Sequence, residues 1–225
     1  MRIAPFNLQN LRLRTRDGRD VLGGAWDGDM QESAQSDILA KADRLKTARV
    51  IAESDADVVA LQEVFDLEAL DFFHDCFLVP AGAKRYDQRV CLSGNDGRGF
   101  NVAVLSRDTV QQVRSHADKT GADFGLSGLS DDLRDFPLFR RDCLEIHLER
   151  VALFICHFKA PYPDFEKAFA VRRAEAKAVR RIVEERYKDP KAERWIILGD
   201  FNEPAYRVYT AKSAMKALCD GFAVD

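Results

Sequence analysis

The chain is poor in the features that would mark it for a special environment. No CxxC pair occurs, and the five cysteines (Cys76, Cys91, Cys143, Cys156 and Cys219) are odd in number and scattered. A disulfide framework and a zinc knuckle are therefore not signalled, and reduced, mostly buried thiols are expected. Long hydrophobic runs are missing as well: stretches such as Trp195–Leu198 are far too short to span a bilayer. The opening Met1–Asn7 has no apolar segment of signal-peptide type, so a cytoplasmic location is expected. No excess of one charge exists either. With 34 basic and 37 acidic residues the formal charge is −3, which excludes a bulk electrostatic nucleic-acid binder. Any polyanionic substrate would need its repulsion offset locally, the usual work of a divalent cation.

What remains is ordinary globular material. The 225 residues are 46% hydrophobic and 32% charged, enough for one large domain spanning 1–225. Repeats and low-complexity tracts are absent, and two glycine- and charge-rich stretches, Arg12–Glu32 and Ser115–Asp135, read as long surface loops. Strands are expected at Arg2–Leu8 (with Pro5 tolerable only at an edge or bulge), Asp57–Gln62, Phe100–Ser106 with Thr109–Ser115 as its hairpin partner, Cys143–Leu148 paired with Val151–His157, and a buried Arg194–Gly199. Helices are expected at Ser36–Ser54, capped by Ser36 and packed through Ile38, Ala42, Leu45, Ala48 and Ile51, and at Leu67–Cys76 and Ser213–Cys219. A further helix, Asp164–Lys188, has an apolar stripe of Phe165, Phe169, Val179 and Val183, with its many charges read as a solvated face. Hairpins mixed with helices favour two packed sheets flanked by helices over a doubly wound parallel sheet.

Several of these strands end in polar residues. Asn7 lies in the FNLQN that ends the first, Glu63 in the LQEV that ends the second, His157 ends the strand running into CHFK, and Asp200 and Asn202 lie in GDFN. Rigid strand ends can hold an amide, a carboxylate, an imidazole and an Asp-x-Asn pair around one mouth. The loop Gly94–Gly99 is turn-rich and precedes a strand, so it is neither a P-loop nor a dinucleotide fingerprint. His74, His116 and His147 carry no motif. Trp195 reads as ordinary packing, and Trp26 as packing or a loop aromatic free to touch substrate.

In order, FNLQNL, LQEV, GRGFNVAVLSR, CHFKAP and ILGDFNEP resemble the motifs of the endonuclease/exonuclease/phosphatase superfamily, the DNase I-like fold. That resemblance implies a four-layer α/β/β/α sandwich and divalent-metal-dependent hydrolysis of phosphate esters, with Mg²⁺ (or Mn²⁺) as cofactor. Carried over by position, Glu63 would be the main metal ligand, with Asn7 supporting it directly or through water and Asn10 an alternative to Asn7. His157 and Asn202 would stabilise the phosphoryl oxygens, His157 as an imidazolium, and Asp200 would orient or deprotonate the attacking water. Arg141 would fork onto a phosphate, while Asp96, Arg98 and Asn101, in and beside the glycine-rich loop, are further substrate-binding candidates.

The family pattern closes with an Asp-His motif, and none occurs downstream of Asn202. An incomplete second sheet is therefore expected, with an open edge favouring self-association. Three functions follow as expectations: a phosphodiesterase or nuclease acting on a phosphate ester such as nucleic acid, a phosphomonoesterase or lipid-headgroup phosphodiesterase, and an inactive binding module.

Overall fold

The computed structural model describes residues 1–24, 34–204 and 213–224. Strands β1 (Ile3–Leu11), β4 (Val58–Val64), β6 (Asn101–Ser106) and β5 (Gln88–Cys91) form one sheet in that order. Strands β10 (Trp195–Asp200), β9 (Ala152–His157), β8 (Cys143–His147) and β7 (Gln112–Arg114) form a second. Both sheets are mixed. Each holds one parallel pair, β1–β4 and β9–β10, and the remaining pairs are antiparallel. A parallel pair needs a crossover, and the two long helices supply it: α1 (Ala34–Ser54) joins β1 to β4, and α4 (Phe165–Arg186) joins β9 to β10.

The strand sequences are apolar at nearly every position because both faces of each sheet are covered. β4, β6, β8 and β9 are almost entirely buried. One set of alternating residues meets between the sheets: Val58, Ala60, Val102 and Val104 against Leu144, Ile146, Leu153 and Ile155. The opposite face of the first sheet packs on α1 and α2 (Leu67–Phe73) through Leu61, Ala48, Ile51 and Phe73. That of the second packs on α4 and α5 (Lys216–Cys219) through Phe154, Val179, Val183 and Leu218. The result is the α/β/β/α layering expected. Pro5 sits on β1, the outer strand of its sheet, where its missing N–H costs no ladder bond.

Five local expectations are corrected. The segment around Gln112 does not pair with β6, because β4 and β5 already take both of its edges. Gln111 N–H instead donates to His147 O (2.8 Å) and leads β7 onto β8 in the other sheet. Part of the first glycine-rich stretch is a hairpin, β2 (Leu13–Arg16) with β3 (Arg19–Leu22), turning at Asp17–Gly18, and the second stretch contains α3 (Asp131–Asp135). Helix α1 is rotated from the expected stripe: Ala40, Arg44, Ala48 and Ile51 are buried, whereas Ile38 is 62% exposed. Helix α4 does not keep all its charges in water, since Arg172 and Glu175 are wholly buried among its alanines and valines. Finally, β10 is half-buried, not buried, as it is the outermost strand of its sheet among the described residues. Ser36 lies inside the first turn of α1, two residues from its start and so not at the N-cap, and its side chain is outside the described residues, as is Trp26. Trp195 packs against Phe222 with ring centroids 5.2 Å apart.

Candidate active site at the strand ends

The parallel pairs bring four strand ends to one side of the sandwich, because β1, β4, β9 and β10 all finish there. Asn7 lies opposite Gln62 in the first sheet, and Asp200 opposite His157 in the second. The Asn7 side chain spans the two sheets. Its Nδ2 donates to Glu63 Oε1 (3.2 Å) and to Asp200 Oδ2 (3.1 Å). His157 Nε2 lies 3.9 Å from the same Asp200 oxygen. Asn202 N–H donates to Asp200 Oδ1 (2.9 Å), and Asn202 Nδ2 to Phe158 O (3.0 Å). The five residues that sequence singled out as the core of a site are thus joined in one cluster, although Asn7 and Asp200 are 193 positions apart.

Local backbone geometry at these ends is unusual. Glu63 (φ 61°) and Asn202 (φ 51°) are left-handed, as are Gln9 and Asn10 (φ 48° and 57°). Each such residue costs about 1–2 kcal/mol, so tertiary contacts must hold it. At Glu63 the β4–β6 register shifts, which swings the carboxylate out of the ladder and toward Asn7. Gly199 has φ 138°, and a Cβ there would lie 2.0 Å from Cys156 O on β9. Only glycine lets β9 and β10 approach closely enough to set His157 beside Asp200.

The roles of the two N-terminal amides separate. Gln9 N–H donates to Asn7 Oδ1 (2.9 Å), which leaves Asn7 Nδ2 facing the carboxylates. Asn7 therefore orients Glu63 and Asp200, while Asn10 contributes its backbone N–H to Glu63 Oε2 (3.1 Å). His157 also differs from expectation. Burial, and then the charge of Arg141, hold its pKa down at about 4 against the opposing pull of Asp200, so it is a neutral imidazole at neutral pH and not an imidazolium. Its Nδ1 is buried without a hydrogen-bond partner.

The other candidates form a bracket beside this cluster. Arg141 is 4% exposed. Its Nε lies 2.7 Å from Asp96 Oδ2, and its Nη1 donates to Phe158 O (3.3 Å), the same carbonyl that accepts from Asn202. Arg98 forks onto Asp96 and stacks over Phe100, 4.4 Å from the ring centroid. Asp96 is thus an internal counter-ion, its pKa lowered despite burial by Arg98 and Arg141. Asn101 is buried and spends its amide on Gly94 N–H and Phe65 O, so it shapes the loop. A pocket of about 390 Å³ opens between Arg98, Arg140, Arg141, Lys159 and Tyr162. A second groove, about 490 Å³, runs from Asn7, Asp200 and Asn202 along Ile197, Met215 and Leu218.

Two buried guanidinium groups escaped sequence reading. Arg44 donates to the carbonyls of Leu8, Gln9, Asn10 and Gly23. Arg172 donates to Lys159 O (3.1 Å) and Glu203 Oε2 (3.2 Å), beside Glu175, whose Oε2 accepts from Lys159 N–H (2.9 Å). Their only trace in the sequence is helical spacing: Arg44 lies four residues from Ala40 and Ala48, and Arg172 and Glu175 fall between Ala168 and Val179 on one face.

The sequence matches the endonuclease/exonuclease/phosphatase family over residues 6–214. The chain belongs to that family. Among solved structures it resembles an endonuclease/exonuclease/phosphatase family protein from Leptotrichia buccalis C-1013-b (18% identity, TM-score 0.51, covering 98% of this chain and 74% of that one). It also resembles a β-hairpin deletion mutant of beta toxin from Staphylococcus aureus (16% identity, TM-score 0.53, covering 100% and 73%). At these identities the likeness is one of fold. No curated protein matches the sequence. Members of the family are hydrolases of phosphoesters that generally use divalent metal ions.

The donor set suits such an ion. Glu63 and Asp200 both accept from one amide nitrogen, so two carboxylates face one small space. Among the described residues no group of three or more His, Cys, Asp or Glu converges to hold a metal. Two carboxylates plus water match a hard cation of the Mg²⁺ type, which keeps several waters, and do not match a closed protein cage. No helix among the described residues is long and apolar enough to cross a membrane.

Proposed function

We propose that the chain is a Mg²⁺- or Mn²⁺-dependent phosphodiesterase acting on a nucleic-acid-like substrate. The observation that carries this reading is the single Asn7 amide bridging Glu63 and Asp200, with Asn202 held on the second carboxylate and His157 beside it. Glu63 would hold the cation, which when bound supplies charge neutralisation at the leaving oxygen. Asp200 orients the attacking water and takes its proton; its two oxygens are already fixed by Asn7 and Asn202. His157, as a neutral imidazole, donates an N–H to a phosphoryl oxygen, and the second Nδ2 hydrogen of Asn202 does the same. Arg98, Arg140 and Lys159 give the adjacent pocket positive character in a chain whose net charge is −3, which favours a substrate with phosphate on both sides of the reacting bond.

The test is hydrolysis of bis-p-nitrophenyl phosphate, p-nitrophenyl phosphate and plasmid DNA, with Mg²⁺ and with chelator. Chelator-sensitive diester cleavage, lowered at least about 100-fold by Glu63→Ala, is expected. A preference for the monoester would replace the diester reading with a phosphomonoesterase. Cation binding without turnover would leave a binding module. Cleavage indifferent to Glu63 would remove the cation site.

A further inference from the structure

The two sheets contain the same device. In each, a parallel strand pair is joined by a long crossover helix, and in each that helix sends one fully buried arginine under the chain just beyond a functional strand end. Arg44 of α1 is 2% exposed and Arg172 of α4 is 0% exposed. A guanidinium is costly to bury unless its donors are used, and its planar fork suits several acceptors at once.

Arg44 spends its donors on backbone carbonyls: Gly23 O (2.6 Å), Gln9 O (2.6 Å), Asn10 O (3.1 Å) and Leu8 O. Gln9 and Asn10 form a left-handed bulge, a local turn within β1, just after Asn7. The N–H groups of that turn point the other way, Gln9 to Asn7 Oδ1 (2.9 Å) and Asn10 to Glu63 Oε2 (3.1 Å). One peptide segment is thus gripped from below by Arg44 and grips the Asn7 and Glu63 side chains from above.

Arg172 works on the second sheet. Its Nη1 donates to Lys159 O (3.1 Å), two residues past His157, while the Lys159 N–H is taken by Glu175 one turn further along α4 (2.9 Å). Its Nε donates to Glu203, next to Asn202 (3.2 Å), and the other Glu203 oxygen accepts from Ala214 N–H (2.8 Å). The segments after β9 and β10, the first following directly on His157 and the second carrying Asn202, are therefore tied to one helix.

We propose that Arg44 and Arg172 are paired positioning residues. Arg44 sets the carboxylate-and-amide half of the centre (Asn7, Glu63), and Arg172 sets the phosphoryl-binding half (His157, Asn202). The proposal rests on the cation-dependent reading above for its catalytic consequence, but its structural content is independent of it. A purely stabilising role for either arginine would act on both halves alike, whereas positioning acts on one.

The experiment compares Arg44→Lys and Arg172→Lys in the full chain, both well below their thermal midpoints. Lysine keeps the charge but donates from a single nitrogen, so it cannot reach acceptors spread across the planar guanidinium fork. Three readouts are taken: Mn²⁺ affinity by electron paramagnetic resonance, kcat and KM for bis-p-nitrophenyl phosphate, and amide ¹H–¹⁵N resonances. Arg44→Lys is expected to weaken Mn²⁺ binding about 10–100-fold and to shift Asn10 and the Asn7 side-chain amide. Arg172→Lys is expected to leave Mn²⁺ affinity within about twofold, to lower kcat about 10–100-fold, and to shift Lys159 and the Asn202 side-chain amide. If either variant fails to fold, Arg44→Gln or Glu203→Gln replaces it, the latter keeping Arg172 and weakening only its tie to the Asn202 segment. Variants that move both halves equally, or neither, overturn the proposal. If the parent chain binds no Mn²⁺, the resonance pattern still decides positioning, and the failure belongs to the cation reading.

Discussion

Glu175 offers a test of the buried network that needs no substrate. It is 0% exposed on α4, and burial, working against the Lys159 N–H and the charges of Arg141 and Arg172, raises its pKa from 4.5 to about 7. Its Oε2 accepts from Lys159 N–H, while Oε1 has no hydrogen-bond partner, which leaves Oε1 to carry the proton. Because the folded pKa lies above the unfolded one, the native state holds a proton that the unfolded chain releases. The contribution is complete below pH 4.5 and is lost as pH rises through 7. The rise from 4.5 to about 7 corresponds to roughly 3 kcal/mol of stability at low pH, most of which is lost between pH 5 and pH 8. Glu175→Gln keeps the shape and still accepts from Lys159 N–H, but cannot ionise. In urea titrations followed by circular dichroism, the parent should lose roughly 2–3 kcal/mol relative to the Gln variant between pH 5 and pH 8. Below pH 4.5 the two should agree. Parallel profiles across that range would refute a buried, protonated Glu175 and with it the account of how α4 meets the Lys159 segment.

Three further outcomes follow from the same contacts. Gly199→Ala places a methyl 2.0 Å from Cys156 O and forces β9 from β10; a loss of about 2–3 kcal/mol is expected, read as a lower urea midpoint at constant m-value. Glu145 is buried and accepts from His116 Nε2 (2.9 Å), His147 Nε2 (2.5 Å) and Arg186 Nε (2.7 Å). Burial works to raise its pKa, but these donors lower it to about 2, so its contribution is present above pH 4.5 and lost as pH falls toward 2. Glu145→Gln should therefore cost roughly 3 kcal/mol at pH 7 and nothing near pH 2, measured by thermal melts at both. Phe154→Ala, in the core beneath α4, should cost about 3–5 kcal/mol by chemical denaturation.

Much of the architecture was legible because burial on both faces writes itself into composition. VVAL, FNVAVL, LFIC and WIIL are nearly unbroken apolar runs, and each is a strand. The errors fell where a partner had to be chosen. Nothing local in Gln112–Arg114 states that both edges of β6 are already occupied, so the nearest hairpin was the natural expectation and the other sheet was the answer. The buried stripe of α1 departs from its apolar spacing because Ile38 and Leu45 are hydrophobic yet face outward, while Arg44 turns inward to four carbonyls. A charged residue inside a core is stabilised by acceptors from other segments, and those are invisible in its own neighbourhood.

From the amino-acid order alone came the chemical types at the strand ends and the positions that carry them. An amide at 7, carboxylates at 63 and 200, an imidazole at 157 and a second amide at 202 are local facts, each terminating an apolar run. Tertiary structure alone decided that Asn7 bridges the two carboxylates across the sheets, that His157 is neutral, and that Arg44 and Arg172 lie under the turns. The division has a physical cause. Strand propensity and apolar content act over a few residues, whereas hydrogen-bond direction, dielectric surroundings and a shared acceptor exist only after distant segments have packed together.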